Sequence, residues 1–408
     1  MKRLLSLILS MCLVLAAVPA LAIGGNNLGA IFSGLNKETV TISKEEYEQY
    51  QMFSDMLEMM ENIEYGYYQE LDEETKTLML QYAAEAMLLA LDDPYTFYYT
   101  PEDYAQLWED DTGEYAGVGM QITNHFDTGL CIISRVFENT PAERAGIRRG
   151  DVLIRVNDLE VDSYTLNDAV DIMRGTPGTT VDITMQRNGE ELLFTVERAI
   201  VNTNYCSAAM LDDRVGYIAL YEFTSGCGEE MKTKLEKLIS QGAKGIILDL
   251  RDNPGGWIDE ADNVASLFVG AGVLCYLEDR NGSRQYYYTT AGSHDVELVI
   301  LVNENSASSS EVVTGCLKDR TDCTVVGVTT FGKGIVQNVL DVGNDGAGMQ
   351  MTVATYYTPN GNAVHHLGIT PDVESVLPEG DNGEYDFADL ANDVQLQAAY
   401  TVMIDKLN

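Results

Sequence analysis

Three short segments carry residue types that could do covalent chemistry. The first is Leu301-Val302-Asn303-Glu304-Asn305-Ser306-Ala307-Ser308-Ser309-Ser310-Glu311, where an apolar strand gives way to a small-residue turn and then a helix. Small side chains let a substrate backbone come close. A helix N-terminus offers unpaired N–H groups and the positive end of a dipole, which suit a developing oxyanion. Ser308-x-x-Glu311 also spells a helix capping box, and both readings stay open on these letters alone. The second segment is Phe331-Gly332-Lys333-Gly334-Ile335-Val336-Gln337. Glycines on both sides of a lysine remove neighbouring bulk, although a lone lysine is equally a surface residue. If a strand begins here, Lys333 and Gln337 share a face. The third is Asp249-Leu250-Arg251-Asp252-Asn253-Pro254-Gly255-Gly256, at the end of a buried strand, where α/β folds build their sites. It reads equally as a Pro-Gly turn.

Elements must position these segments. From residue 215 strands and helices alternate: strands at 215–220, 245–250, 298–302 and 324–328, helices at 228–241, 260–269 and 311–319. The nearly all-apolar run Gly245–Leu250 is the signature of a parallel sheet covered on both faces. Residues 103–200 carry shorter alternating runs instead. Strands are expected near 117–122, 131–136 and 151–156, and a short helix at 140–145 stopped by Gly146. An amphipathic helix follows at Leu166–Met173, then a hairpin around Asn188-Gly189. Upstream, Ser43-Lys44-Glu45-Glu46 should start a helix, with Met52, Met56, Leu57, Met59 and Met60 at near-helical spacing and expected in the core. Asp72 should cap a second helix, stopped at Asp92-Asp93-Pro94. The last stretch opens acidic (Glu379, Asp381, Glu384, Asp386, Asp389) and should then run as a helix to the end.

The 408 residues are too many for one compact core, and 25 Lys plus Arg against 64 Asp plus Glu give a formal charge of −39. Such a surface repels nucleic acid and anionic membranes. Lys2 and Arg3, an apolar run, and Ala20-Leu21-Ala22 make a secretory leader over 1–22, so the protein is expected to be exported to the cell envelope or beyond, or tethered by an uncleaved leader. Cys12 leaves with that leader. The remaining six cysteines are scattered without a C-x-x-C pair and are expected as free thiols. Histidines 125, 294, 365 and 366 form no H-E-x-x-H and no zinc set, so neither a metal nor another cofactor is expected.

Two resemblances organise these features. Gly117-Val118-Gly119-Met120-Gln121-Ile122, then NTPAERAGIRRGDVLIRVND, then LNDAVDIMRGTPGTTVDITMQRNG resemble a PDZ domain. Such domains add a chain terminus as a strand. The resemblance implies that Gly117, Val118, Gly119 and Met120 hold a C-terminal carboxylate. DDPYTFYYTPEDY, the PDZ segment, DLRDNPGG, SASSSE, FGKGIVQ and TPNGNAVHHLGITPD together, in order, resemble the C-terminal processing peptidases, or tail-specific proteases, over about residues 40–375. The implied architecture is multidomain α/β: leader 1–22, linker 23–42, helical N-terminal unit 43–102, PDZ domain 103–200, layered α/β protease core 201–375, and an acidic segment with C-terminal helix at 376–408.

The same resemblance implies a serine endopeptidase in which Ser308 is the nucleophile, Lys333 the base and Gln337 the residue orienting its amine. Oxyanion donors would be the N–H of Ser309 and that of Gly255, with Gly256 nearly as suitable. Partners would be polypeptides with a free C-terminus, no nucleic acid, and in this family a second copy. Two departures stand out. Ser309 replaces a common Ala, which multiplies the candidate hydroxyls to Ser306, Ser309 and Ser310. Val328-Thr329-Thr330 replaces a stretch that usually carries an acid. A lysine base must be neutral. From about 10.4, work near neutral pH asks for a fall of about three units, so Lys333 should be buried beside Ser308. Competing readings are a Ser-His-Asp triad using His365 or His366, for which no acid motif is evident, and a non-catalytic peptide-binding scaffold.

Overall fold

The computed structural model describes residues 42–111, 114–125, 129–137, 139–202, 204–343, 346–378, 385 and 387–408. The leader, residues 23–41 of the linker, and Glu379, Asp381, Glu384 and Asp386 lie outside the described residues. The described residues divide into two compact units, one of those up to 102 with those of 339–350, the other of those of 103–338 with those of 351–408.

The first unit contains helices α1 (Lys44–Met52), α2 (Ser54–Gly66) and α3 (Glu73–Leu89), then strand β1 (Phe97–Tyr99). Asp72 caps α3 as expected, its carboxylate accepting from the Thr75 N–H at 2.8 Å. β1 pairs antiparallel with residues 348–350. The methionine stripe is not core. The expected first helix breaks at Phe53 into two, no residue of α2 or α3 is buried, and Met52 is 80% and Met59 58% exposed. Helical spacing sets which residues share a face, but only a partner surface buries that face.

Helix α4 (Pro101–Asp111) runs across the unit boundary, and the second unit continues with a β-rich module: β2 (Glu114–Gly117), β3 (Met120–His125), β4 (Leu130–Val136), α5 (Pro141–Ala145), β5 (Val152–Val156), β6 (Leu159–Glu160), α6 (Leu166–Met173), β7 (Thr180–Arg187), β8 (Glu190–Glu197) and β9 (Ala199–Asn202). Its core is Ile133, Leu153, Ile183 and Met185 closed by Ala142 and Ala169 of the two helices. The β7–β8 hairpin turns at Asn188 and Gly189, both at positive φ, as a two-residue primed turn requires.

The remainder is layered. It comprises β10 (Cys206–Met210), β11 (Val215–Leu220), α7 (Cys227–Ser240), β12 (Gly245–Asp249), α8 (Ile258–Ala265), β13 (Gly272–Asp279), β14 (Arg284–Thr289), β15 (Glu297–Val302), α9 (Ser309–Arg320), β16 (Thr324–Gly327), β17 (Ile335–Val342), β18 (Ala347–Tyr357), β19 (Val373–Glu374) and α10 (Val394–Lys406). The main sheet has the order β10-β11-β12-β15-β16-β19, parallel except for β10. Alternate residues serve two cores. Ile246, Leu248, Leu298 and Ile300 pack with residues of α7, α8 and α9, while Ile247, Val299 and Leu301 pack with Leu396, Ala399 and Met403 of α10. This explains the unbroken apolar runs read in the sequence. β13 pairs with β14 and with the last residues of β18, and β17 pairs with β18. The six cysteines of this unit are free thiols, five of them buried.

Candidate active site

β12, β15 and β16 are neighbours in the sheet, so the segments leaving their C-terminal ends meet at one edge. These are the three segments singled out by their chemistry: 250–256 after β12, 303–308 after β15 and 328–334 after β16.

The structure separates the four serines by what their hydroxyls do. Ser306 Oγ donates to the Leu250 carbonyl at 2.7 Å, Ser310 Oγ to the Asn253 carbonyl at 3.0 Å, and Ser309 Oγ to the Gly256 carbonyl at 2.7 Å. The Ala307 N–H adds a bond to the Asn253 carbonyl at 3.0 Å. Three serines are therefore staples holding the glycine loop, and all three are buried. Ser308 alone is only half-buried. Its backbone sits at φ 54°, ψ −116°, an uncommon place for a residue with a side chain, of the kind kept at functional turns when surroundings over-determine it.

Glu311 supplies much of that determination. It is fully buried, and its carboxylate accepts from the Ser308 N–H at 3.0 Å, Thr330 Oγ1 at 2.6 Å, the Gly332 N–H at 2.7 Å and the Lys333 N–H at 2.9 Å. Burial pushes the carboxyl up, and these four bonds pull it back. One acid thus ties the serine turn to the lysine turn. The capping-box letters pointed to the bond with Ser308; nothing local pointed to the other three. Thr330, in the stretch that departs from the acid usual in the resembling family, donates to Glu311 and accepts from the Ile369 N–H at 2.7 Å. A carboxylate at 330 would face another one.

Lys333 lies ahead of β17 rather than in it, so the shared-face argument with Gln337 does not apply. Lys333 is half-buried, not buried as expected, because its glycine neighbours, not the lysine, fill the interior. Gln337 Nε2 donates to Thr352 Oγ1 at 3.2 Å. Tyr356, fully buried on β18, was missed in the sequence. Its N–H donates to the Gly334 carbonyl at 2.9 Å and its hydroxyl to the Ser308 carbonyl at 3.2 Å. The rings of His365 and His366 lie tilted against each other with centroids 3.8 Å apart, and the His366 N–H donates to the Gly332 carbonyl at 2.8 Å.

The glycine loop is built for close approach. A Cβ on Gly255 would lie 2.7 Å from that of Ser308 and 2.8 Å from the Ser309 nitrogen, so only glycine fits. The Gly255 N–H donates to Asn253 Oδ1 at 2.9 Å. Phe223 brackets Gly256, its N–H reaching the Gly255 carbonyl and its carbonyl taking the Trp257 N–H, each at 2.8 Å. The loop is anchored at its start by Arg251, whose side chain is 12% exposed. Its guanidinium bonds Asp249, which also accepts from Tyr217, and forks onto Asp393, the cap of α10, at 3.1 and 2.6 Å. Asp252 accepts from Asn303 and Asn305, each at 2.8 Å, and pairs with Arg149 of the β-rich module at 3.8 Å.

In that module, Gly117 closes β2, Val118 and Gly119 form the turn, and Met120 opens β3; all four are buried. The carbonyls of Val118 and Gly119 point to the start of α5, accepting from the Ala142 N–H at 2.8 Å and Thr140 Oγ1 at 3.2 Å. Gly119 is at φ 90°, with the Thr140 side chain where its Cβ would be.

A strained, half-exposed serine at a helix start, a lysine turn tied to it and a glycine loop packed against it define an α/β serine hydrolase, here joined to a small peptide-binding-type β module. The pattern of Peptidase family S41 matches residues 214–375, and that of the PDZ domain matches residues 132–187. The chain is 36% identical over 332 residues to a carboxyl-terminal-processing protease of Synechocystis, covering 79% of this chain and 76% of that one. It is 32% identical to carboxy-terminal processing protease CtpA of Bacillus subtilis, covering 80% and 70%. Among solved structures it is similar to a photosystem II D1 C-terminal processing protease, with TM-score 0.55, 28% identity, 83% of this chain and 95% of that one. The chain belongs to peptidase family S41, the carboxyl-terminal-processing serine proteases.

Proposed function

We propose that the chain is an exported endopeptidase working through a Ser308–Lys333 dyad and an acyl-enzyme. Ser308 Oγ attacks a peptide carbonyl, Lys333 takes the hydroxyl proton and returns it to the leaving amine, and water hydrolyses the ester. The observation that carries this reading is the sorting of the serines: Ser306, Ser309 and Ser310 are spent on the glycine loop, and Ser308 is held strained between that loop and the lysine turn. Gln337 orients the amine. Because the Gly255 N–H is committed to Asn253, the oxyanion donors we assign are the N–H groups of Gly256 and Ser309. Gly256 suits this because Phe223 occupies its other side, and its carbonyl already faces Ser309.

Lys333 must lose its proton to work. Half-exposure leaves it wetter than that requires, so a bound polypeptide completes its desolvation. Substrates are selected by a free C-terminus, whose carboxylate the Gly117–Met120 turn receives as the chain adds to the β-rich module. The test is turnover of an unfolded polypeptide by wild type, Ser308→Ala and Lys333→Ala. The dyad reading expects both variants to be inactive, and turnover surviving in Lys333→Ala refutes it. Loss in His365→Ala and His366→Ala with retention in Lys333→Ala would establish a histidine base instead. Stimulation by carboxylate-ended peptides but not by amidated ones tests the selection.

A further inference from the structure

Tyr356 lies near the end of β18, next to Tyr357, and the two rings take opposite faces of the strand. Tyr357 stacks on Tyr276 with centroids 5.0 Å apart, whereas Tyr356 is 2% exposed and faces the serine turn. Its hydroxyl donates to the Ser308 carbonyl at 3.2 Å. That carbonyl also accepts from the Glu311 and Val312 N–H groups at 2.8 and 2.9 Å. The Ser308 carbonyl and the Ser309 N–H belong to one planar peptide unit, in which they point in opposite directions. Whatever fixes the carbonyl therefore aims the N–H.

We propose that Tyr356 is a positioning residue that aims the Ser309 N–H of the oxyanion hole by holding the other end of the same peptide plane. The inference rests on Ser308 as nucleophile and deepens that reading. The helical donors to the Ser308 carbonyl come from its own turn and would follow the plane if it rocked. The tyrosine comes from a strand 48 residues away and does not. Burial, together with the charge of nearby Glu311, pushes the phenol well above its usual range, so it remains a donor. Without the hydroxyl, the peptide plane at φ 54° loses its one hydrogen bond from outside the helix among those described, and the oxyanion donor is no longer preset.

The test is Tyr356→Phe, which keeps the buried ring and removes one oxygen, with Tyr357→Phe as neighbour control and Ser308→Ala as reference. Each is assayed for kcat, KM, thermal midpoint and inhibition by a peptide aldehyde, whose adduct with serine carries an oxyanion. Tyr356→Phe is expected to lower kcat about tenfold and to weaken the aldehyde by the same factor, with KM within about twofold and an unchanged thermal midpoint. Tyr357→Phe is expected to match wild type. A Tyr356→Phe kcat within twofold of wild type, aldehyde affinity that does not follow kcat, or an equal loss in Tyr357→Phe overturns the inference. Turnover retained in Ser308→Ala overturns the nucleophile and this inference together. An inactive Ser308→Ala beside a fully active Tyr356→Phe overturns this inference alone.

Discussion

The serine turn and the lysine turn are held in different ways. Around Ser308 side chains do the holding: three serine hydroxyls, Glu311 and Tyr356 each make a bond that pins the turn or the loop it faces. Around Lys333 most of the described bonds of the turn use its main chain: the Gly332 and Lys333 N–H groups to Glu311, the Gly332 carbonyl to His366, the Gly334 carbonyl to Tyr356 and the Phe331 N–H to the Ser306 carbonyl, with the Thr330 hydroxyl the side-chain exception. Phe331 itself is 56% exposed. In the proposed dyad the serine turn is tied by side chains from several elements, while the bonds described at Lys333 fix its backbone.

The comparison can be broken at several points. The largest effect is expected from Ser308→Ala, a loss of turnover of about a thousandfold or more with the fold intact, measured against an unfolded polypeptide. Asp393→Ala should be next. Removing one partner of the buried Arg251 pairing lowers stability by about 3–5 kcal/mol, read from urea unfolding, and an unchanged midpoint would show that the anchor contributes little. Glu311→Gln should lower kcat about a hundredfold while sparing KM, since an amide nitrogen would face N–H donors now met by oxygen. If only the lysine turn depends on Glu311, an alkylating serine probe would still react at the wild-type rate. Ser309→Ala should be mild, about threefold in kcat/KM, because it removes one of several staples.

The smallest effect lies outside both turns. Burial pushes the thiols of Cys206 and Cys275 up to about 12 and those of Cys316 and Cys323 to about 11. In the unfolded chain they ionise near 8.5. Their contribution is therefore fully present below that value and is lost as pH rises toward 11–12, because the unfolded state gives up protons first. The thermal midpoint should decline steadily above about pH 9, and the thiols should resist alkylation at pH 8 until the protein is unfolded. Rapid native labelling would show that this core opens.

Much of the site was readable because its parts are contiguous in sequence. Ser308, Lys333 and the two glycines stand in short runs whose composition signals a turn, and strands β11, β12 and β15 announce themselves as apolar runs. Helix α6 matched to the residue because Arg174-Gly175-Thr176-Pro177 ends it sharply. What was not readable depends on distant partners. Tyr356 is one tyrosine among 23, and only folding puts its oxygen on Ser308. Thr330, Asn253 and the second half of the Glu311 clamp are invisible for the same reason. The methionine stripe failed in the opposite direction: the pattern was present, yet none of its residues is buried. The expected burial of Lys333 followed from the base role that the resemblance implies, and nothing in the surrounding letters showed that the flanking glycines would take the interior instead.

The fork between Arg251 and Asp393 spans 142 residues of sequence. A ribosome making this protein releases the serine, the lysine and the glycine loop well before it reaches the residue that completes the loop's anchor. The order of synthesis therefore leaves the glycine loop's anchor incomplete until residue 393 has been added.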